Sequence, residues 1–454
     1  MGNNKVFNKE NKLNKIAFKE KEKSSVVTPV KNIPYEEIIS IVQNYLSENY
    51  SSSMEETRII PDEIIGYINH FLRKKNLGVN NIPVNKLSEM IFQEISGYSF
   101  LSKYLKDMEV EEINVNAYNN IKIRKTDGKT YSIPEKFFSP NHAKNIVRKI
   151  LQYSKMVIDK NDPLVRGHIE NKETKSKNVR ITAAGEPVID NNVGIIASIR
   201  KVNPKRLKKQ DFINKGTATE EMLDFLSMCI SYGVSMAIAG ATNSGKTTLM
   251  NYVLSEIPDN QRIITIENEV REFDLIKMDK DNNVLNNAIH FKTKRRTDES
   301  KSIDQLKLLE YSLTLNPDVI VVAEAKSEET FAAQEAARTG HAVVTTVHAN
   351  SASAVHNRLM TLCKQGVDID MDTLYFLVTE AFPIVVYERE FKDTGDRKIV
   401  QIGEIVNPGD KKIKTLYEYD NKQKKFVKKN EISEGLRNFL TERGVSENEL
   451  RRFA

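Results

Sequence analysis

The stretch GATNSGKT, Gly240 to Thr247, constrains this chain more than any other. Its G-x-x-x-x-G-K-[ST] spacing is that of a loop that wraps a phosphate with inward-pointing backbone N–H groups. Such a loop needs a strand to deliver the chain and a helix to leave it, because the helix N-terminus adds partial positive charge. VSMAIAG (234–240) reads as that strand and TTLMNYVLSEI (247–257) as that helix. On this reading Gly240, Ala241, Thr242, Asn243, Ser244, Gly245 and Thr248 form the phosphate cradle. Lys246 reaches the β- and γ-phosphates, and Thr247 offers a hydroxyl to Mg²⁺. The bland alternative is a glycine turn capping a helix.

A second stretch, NPDVIVVAEAK (316–326), fits the first. Four branched apolar residues, Val319 to Val322, predict a fully buried strand, and Glu324 follows directly. A carboxylate at the end of a buried strand is costly unless it is solvated, paired or bound to a metal. In a parallel sheet that end faces the same edge as the phosphate loop. Glu324 is therefore expected to order Mg²⁺ or its water, or to take a proton from the attacking water. Asp318 precedes the strand and belongs to the opposite edge.

The chain has 454 residues, too many for one core, and with 39% hydrophobic and 29% charged residues it suits a soluble globular class. No secretory signal, myristoylation signal or transmembrane run is expected, which predicts a cytoplasmic protein. The two cysteines, Cys229 and Cys363, lie far apart in apolar helical contexts and read as buried free thiols. The net charge of +6 is concentrated at the start, where residues 1–32 hold eight Lys and three Glu. A solubilising tail explains that better than a nucleic-acid partner.

The predicted order is a flexible basic tail (1–33), a helical extension (34–107), an α+β N-terminal domain (108–202), a linker (203–216) and an ATPase domain (217–454). Helices are expected at 35–50, 61–75 and 84–105. Beyond 217, strands RIITIE, DVIVVAE and AVVTTVHA alternate with helical patterns, which predicts an α/β fold with a parallel central sheet. IVVYERE, RKIVQIGEIV and KTLYEYDNKQKKFVKK read as antiparallel strands with a lysine-rich hairpin (Lys422 to Lys429), and a short helix from 431 closes the chain.

GATNSGKTTL (240–249), RIITIENE (262–269), NPDVIVVAE (316–324) and TGHAVVTTVHANS (339–351) resemble, in order and rough spacing, four elements of one family. These are the Walker A, Asp-box, Walker B and His-box elements of the type II/type IV secretion ATPase superfamily. ISGYSFLSKYLKDMEVEEINVNA (95–117) and SIRK (198–201) resemble its N-terminal domain. Within it the sequence looks most like the tight-adherence (Flp) pilus ATPases and their conjugation-type relatives. The resemblance implies a RecA-like P-loop NTPase domain, a homo-hexameric ring and ATP with Mg²⁺ bound between the two domains. It also implies work on a pilus or secretion machine through a polytopic inner-membrane platform protein, with the prepilin or secreted substrate moved indirectly.

Residue by residue, the resemblance makes Glu267 the Asp-box acid, a partner of Glu324 toward Mg²⁺ or water, with Glu272 as a second acid of uncertain alignment. His348 would sense the γ-phosphate, while His341 would stabilise the fold or subunit contacts. Arg180 and Arg200 would reach the nucleotide from the N-terminal domain. The chain departs from the family's pattern at Asn268, Asn316, Ala323 and Lys326. Losing a guanidinium for Lys removes bidentate pairing; Lys292, Lys294, Arg295 and Arg296 read first as a solvated charged loop and second as a cluster that compensates in trans. Two other readings therefore stand beside a motor: a nucleotide-gated scaffold with little turnover, and a conjugative DNA-transfer ATPase.

Overall fold

The structure is a computed structural model that describes residues 31–55, 61–154, 156–170, 178–202, 207–294 and 301–453. Residues 1–30 of the expected tail (1–33), the start of the linker and Arg295 and Arg296 lie outside the described residues. The chain divides into two compact units, Met1–Phe100 and Leu101–Ala454.

In the first unit, helices Tyr35–Glu55, Pro61–Lys74 and Val84–Ser96 pack their apolar stripes together. Ile38, Val42, Ile68, Leu72, Leu87 and Ile91 form the centre of that core. Two short parallel strands, β1 (Lys31–Asn32) and β2 (Leu77–Gly78), join its edges. The single helix expected over 84–105 is two, because the chain breaks after Ser96. Gly97 is extended and Ser99 takes a positive φ of 54°, both incompatible with a continuing helix, and Leu101–Lys106 begins anew.

The second unit contains two sheets. The first is antiparallel throughout: β3 (Val110–Ala117), β4 (Asn120–Lys125), β5 (Thr130–Ser132), β6 (Leu164–Glu170), β7 (Asn178–Ala184) and β8 (Ile196–Val202), in the order β5-β4-β3-β8-β7-β6. Helix Pro140–Gln152 buries Ala143, Ile146, Val147, Ile150 and Leu151, and Ser139 caps it by accepting from the His142 N–H. β6 has no counterpart among the expected strands; it is supplied by LVRGHIE pairing with β7.

The second sheet carries β9 (Met236–Gly240), β10 (Ile263–Glu267), β11 (Ala288–Lys292), β12 (Val319–Val322), β13 (Ala342–Val347), β14 (Ile384–Glu390), β15 (Arg397–Glu404), β16 (Lys414–Asp420) and β17 (Lys425–Lys428). Their order is β11-β10-β12-β13-β9-β14-β15-β16-β17. The strands from β11 to β14 pair in parallel, and β15 to β17 extend the sheet antiparallel. The continuous apolar runs follow from covering both faces. Met236, Ile238, Val319, Val321, Val344, Ile384 and Val386 face a core built with helices Glu220–Ser231 and Lys246–Ser255. The alternate residues Ala237, Ala239, Ile320, Val322, Val343 and Val385 face helices Glu329–Arg338, Val355–Cys363 and Met371–Ala381.

One expectation is corrected here. IVVYERE does not lie among antiparallel strands alone: β14 runs parallel to β9, with Glu388 opposite Gly240, and is antiparallel only to β15. Its residues Ile384 to Tyr387 are buried, so it belongs to the sheet's interior. The chain closes with two helices rather than one, Glu434–Glu442 and Glu447–Leu450, separated at Gly444. Lys209–Asn214 is helical, and Phe212 is buried against Tyr252. Cys229 and Cys363 are buried free thiols. Among the described residues, no helix is long and apolar enough to cross a membrane.

Candidate functional site

A cavity of about 160 Å³ opens where the carboxyl edge of the parallel sheet meets β3, β7 and β8. One wall is the loop and first turn after β9, residues Thr242 to Thr248. The loop needs its glycines. A side chain on Gly240 would collide with the Glu388 carbonyl oxygen and with Ser244, and Gly245 caps the helix at φ 114°. Gly240 and Ala241 do not line the cavity. Their carbonyls instead accept hydrogen bonds from Lys246 Nζ at 3.0 and 2.8 Å. Burial holds the Lys246 ammonium below its ordinary pKa against the raising charges of Glu388 and Glu324, and the Arg200 charge adds a smaller lowering.

Glu324 lies across the cavity, two residues beyond the end of β12. Its Oε2 is 2.9 Å from Lys326 Nζ and its Oε1 is 3.3 Å from His348 Nε2. The polypeptide is fixed there by β13: the Ala325 N–H donates to the Thr346 carbonyl, and Thr346 Oγ1 donates to the Ala323 carbonyl. His348 follows the end of β13 and lines the same cavity. Burial and the nearby Lys246 charge lower its pKa below the usual histidine value, which favours neutral imidazole. His341 is at the opposite end of β13, its ring 3.3 Å from the Ala336 carbonyl, away from the cavity. Asp318 is likewise at the far edge, where it accepts from the Arg262 N–H at 2.6 Å.

Arg180 and Arg200 are cross-strand neighbours on β7 and β8, and both line the cavity. Arg180 Nη2 donates to Glu272 Oε1 at 2.6 Å, which bridges the antiparallel sheet to the segment after β10. A second bridge joins Arg397 on β15 to Glu111 on β3, with both guanidinium ends donating at 3.0 and 2.8 Å. Arg124 on β4 donates to Glu390 on β14.

The structure does not bring Glu267 to the cavity. Although it ends β10 as expected, it is buried, and its carboxylate accepts from the Glu272 and Phe273 N–H groups and from Thr265 Oγ1. Those bonds hold the turn that presents Asn268 and Glu272 to the cavity instead. Backbone donors of that turn share the charge with the Thr265 hydroxyl, and the His290 ring Nδ1 lies 3.3 Å from Oε1. Lys292 and Lys294 do not line the cavity either.

Sequence reading missed Glu111, Glu112, Arg124, Lys201, Arg397 and Glu388. All but Glu388 line the cavity, and Glu388 lies beneath the loop. Only Glu388 left a signal: IVVYE repeats the pattern of an apolar run ending in an acid. In total, seven Lys and Arg side chains face four carboxylates, so the cavity suits a polyanion. No cluster of three or more metal-ligating side chains occurs among the described residues.

A glycine loop between a strand and a helix, beside a cationic cavity at a parallel sheet's carboxyl edge, defines a phosphate-binding α/β protein. The chain belongs to the Type II/IV secretion system protein family, whose model matches residues 144–380, just over half of it. The type IV secretion system protein PtlH of Bordetella pertussis is 35% identical over 184 residues, 39% of this chain and 52% of that protein. The chain thus spans about half the length of that relative. VirB11 of Bartonella henselae, also a type IV secretion system protein, is 26% identical over 336 residues, 65% of this chain and 89% of that one. Among solved structures, the ATPase DotB of Legionella pneumophila is 17% identical, covering 77% of this chain and 83% of that one. Its TM-score is 0.49, too slight a likeness to argue from.

Proposed function

We propose that this chain hydrolyses Mg-ATP in the cavity and uses the energy to drive a pilus or secretion machine at the cytoplasmic face of a membrane. One observation carries the reading: Glu324, within reach of His348, faces the Lys246–Thr247 turn across a cationic cavity. The loop N–H groups and Lys246 would hold the β- and γ-phosphates, and Arg180 and Arg200 would balance charge on the transferring group. The Thr247 hydroxyl and Glu324, directly or through water, would hold Mg²⁺, which neutralises phosphate charge when bound. Glu324 would position the attacking water and accept its proton; neutral His348 would hydrogen-bond the γ-phosphate. Glu267 acts at one remove in this proposal, holding the turn that carries Glu272.

The finer assignments belong to the same proposal. They are a RecA-like ATPase domain at 217–454, an N-terminal domain at 108–202, the linker 203–216 and the extension 34–107. We also propose a homo-hexamer, docked on a polytopic membrane platform protein, of the tight-adherence pilus type. A second reading, the scaffold with little turnover, is favoured by Lys326, whose ammonium lies 2.9 Å from Glu324 Oε2 and occupies an oxygen that an attacking water would need.

Steady-state phosphate release with and without Mg²⁺ tests the proposal. Wild type should hydrolyse ATP only with Mg²⁺, and Lys246→Ala should lose at least about 100-fold, as expected when a principal phosphate ligand is removed. Negligible hydrolysis by wild type, with ATP still bound, would favour the scaffold.

A further inference from the structure

Beneath the phosphate loop lies a carboxylate that the proposed chemistry does not use. Glu388 sits on β14 opposite Gly240, the residue where β9 turns into the loop, and is only 1% exposed. Its carboxyl lies against Gly245: a Cβ there would be 3.4 Å from Glu388 Oε1, 3.5 Å from Oε2 and 3.6 Å from Arg397 Cδ. Glu388 Oε2 and Arg397 Nε are both buried without a hydrogen-bond partner among the described residues. A buried carboxylate lacking its full set of partners is expensive, and a leucine would fill the position more cheaply. The charges that act on it come from Lys246, on the helix after the loop, and Arg397, on β15. Arg397 in turn clamps Glu111 on β3 with two hydrogen bonds. The charges of Lys246, Glu388 and Arg397, acting on one another through space, therefore lie in sequence from the loop to the Glu111 bridge on the antiparallel sheet.

We propose that Glu388 is a positioning residue of the nucleotide site, steadying Gly245 and Lys246 from beneath and linking them through Arg397 to the Glu111 bridge on β3. This rests on the phosphate-binding role proposed for the loop. An anion arriving at Lys246 competes with Glu388 for one ammonium, and the carboxylate left behind leans more on Arg397. Phosphate occupancy thereby alters the clamp between the two sheets. Burial pushes the Glu388 carboxyl up to about 8, so that a moderate change of pH switches its charge.

The test is the affinity of the full-length chain for fluorescently labelled Mg-ATP at pH 6.5 and pH 8.5, in wild type and Glu388→Gln. At pH 6.5 Glu388 carries a proton and the two should bind alike. At pH 8.5 the wild-type carboxylate competes for Lys246, so Glu388→Gln should bind roughly three- to tenfold more tightly, the scale of one partly screened charge. Lys201, which burial lowers to about 8, titrates in the same window but cancels in the ratio. Arg397→Gln provides a second arm that does not depend on Glu388→Gln folding. Without that guanidinium Glu388 ionises at higher pH, and the wild-type loss of affinity should move upward with it. Equal affinities at both pH values, or a pH dependence unmoved by Arg397→Gln, overturn the proposal while leaving the ATP site intact. Absence of ATP binding by wild type overturns both.

Discussion

Neighbouring strands β10 and β12 each deliver a glutamate to the same sheet edge, yet the two carboxylates occupy opposite environments. Ile266 pairs with Val322, so Glu267 and Glu324 leave the sheet within one residue of each other in register. Glu267 is 1% exposed and its oxygens are taken by the Glu272 and Phe273 N–H groups and the Thr265 hydroxyl. Glu324 has a side chain 29% exposed, faces the cavity and lies within ion-pair distance of the Lys326 and His348 side chains. What separates them is the segment that follows. After β10 the chain curls back and turns its backbone donors on the acid, whereas after β12 it is tied to β13 by Ala325 and Thr346 and leaves the acid facing the cavity. On the proposed function, a strand-end carboxylate is a chemical group in one case and a structural one in the other.

That contrast gives its sharpest prediction at Glu324. Glu324→Gln should lower kcat by about 10²- to 10⁴-fold, the usual range for an acid–base group, while changing the urea unfolding free energy by less than about 1 kcal/mol. Glu267→Gln should behave in reverse. Its amide must present a donor where the carboxylate accepted, costing about 2–4 kcal/mol in the same unfolding experiment. A Glu267→Gln protein of wild-type stability would erase the distinction between the two acids. Arg180→Gln, which removes the Glu272 bridge and one cavity cation, should weaken labelled-ATP binding roughly three- to tenfold by equilibrium titration. The smallest effect is expected at Asn316. It adopts φ 52° in the turn before β12, at the far edge from the cavity. Asn316→Arg should therefore cost about 1 kcal/mol of stability and leave the hydrolysis rate unchanged.

The alternation of strand and helix after residue 217, the loop at Gly240 and the placement of Glu324 and His348 were legible because each is local: periodicity, glycine spacing, an acid after a buried run. The parallel pairing of β14 with β9 was not, since nothing in IVVYERE states which strand it will adjoin. Glu388 went unrecognised for that reason, and so did Arg397 and Glu111, which are 286 residues apart in sequence. The burial of Glu267 was not legible, because a strand-end acid looks the same whether its neighbours are solvent or amides. The departures at Asn316 and Lys326 also separate in space. The first belongs to a turn remote from the site, and the second pairs with Glu324 itself.

The most direct measurement is the identity of the nucleotide retained after incubation with radiolabelled Mg-ATP and rapid removal of free ligand. Glu324→Gln should hold intact ATP, because the phosphate loop still binds but the acting carboxylate is gone, while wild type and Glu267→Gln should hold ADP. ADP in equal amount on Glu324→Gln and wild type would contradict the assignment of hydrolysis to Glu324.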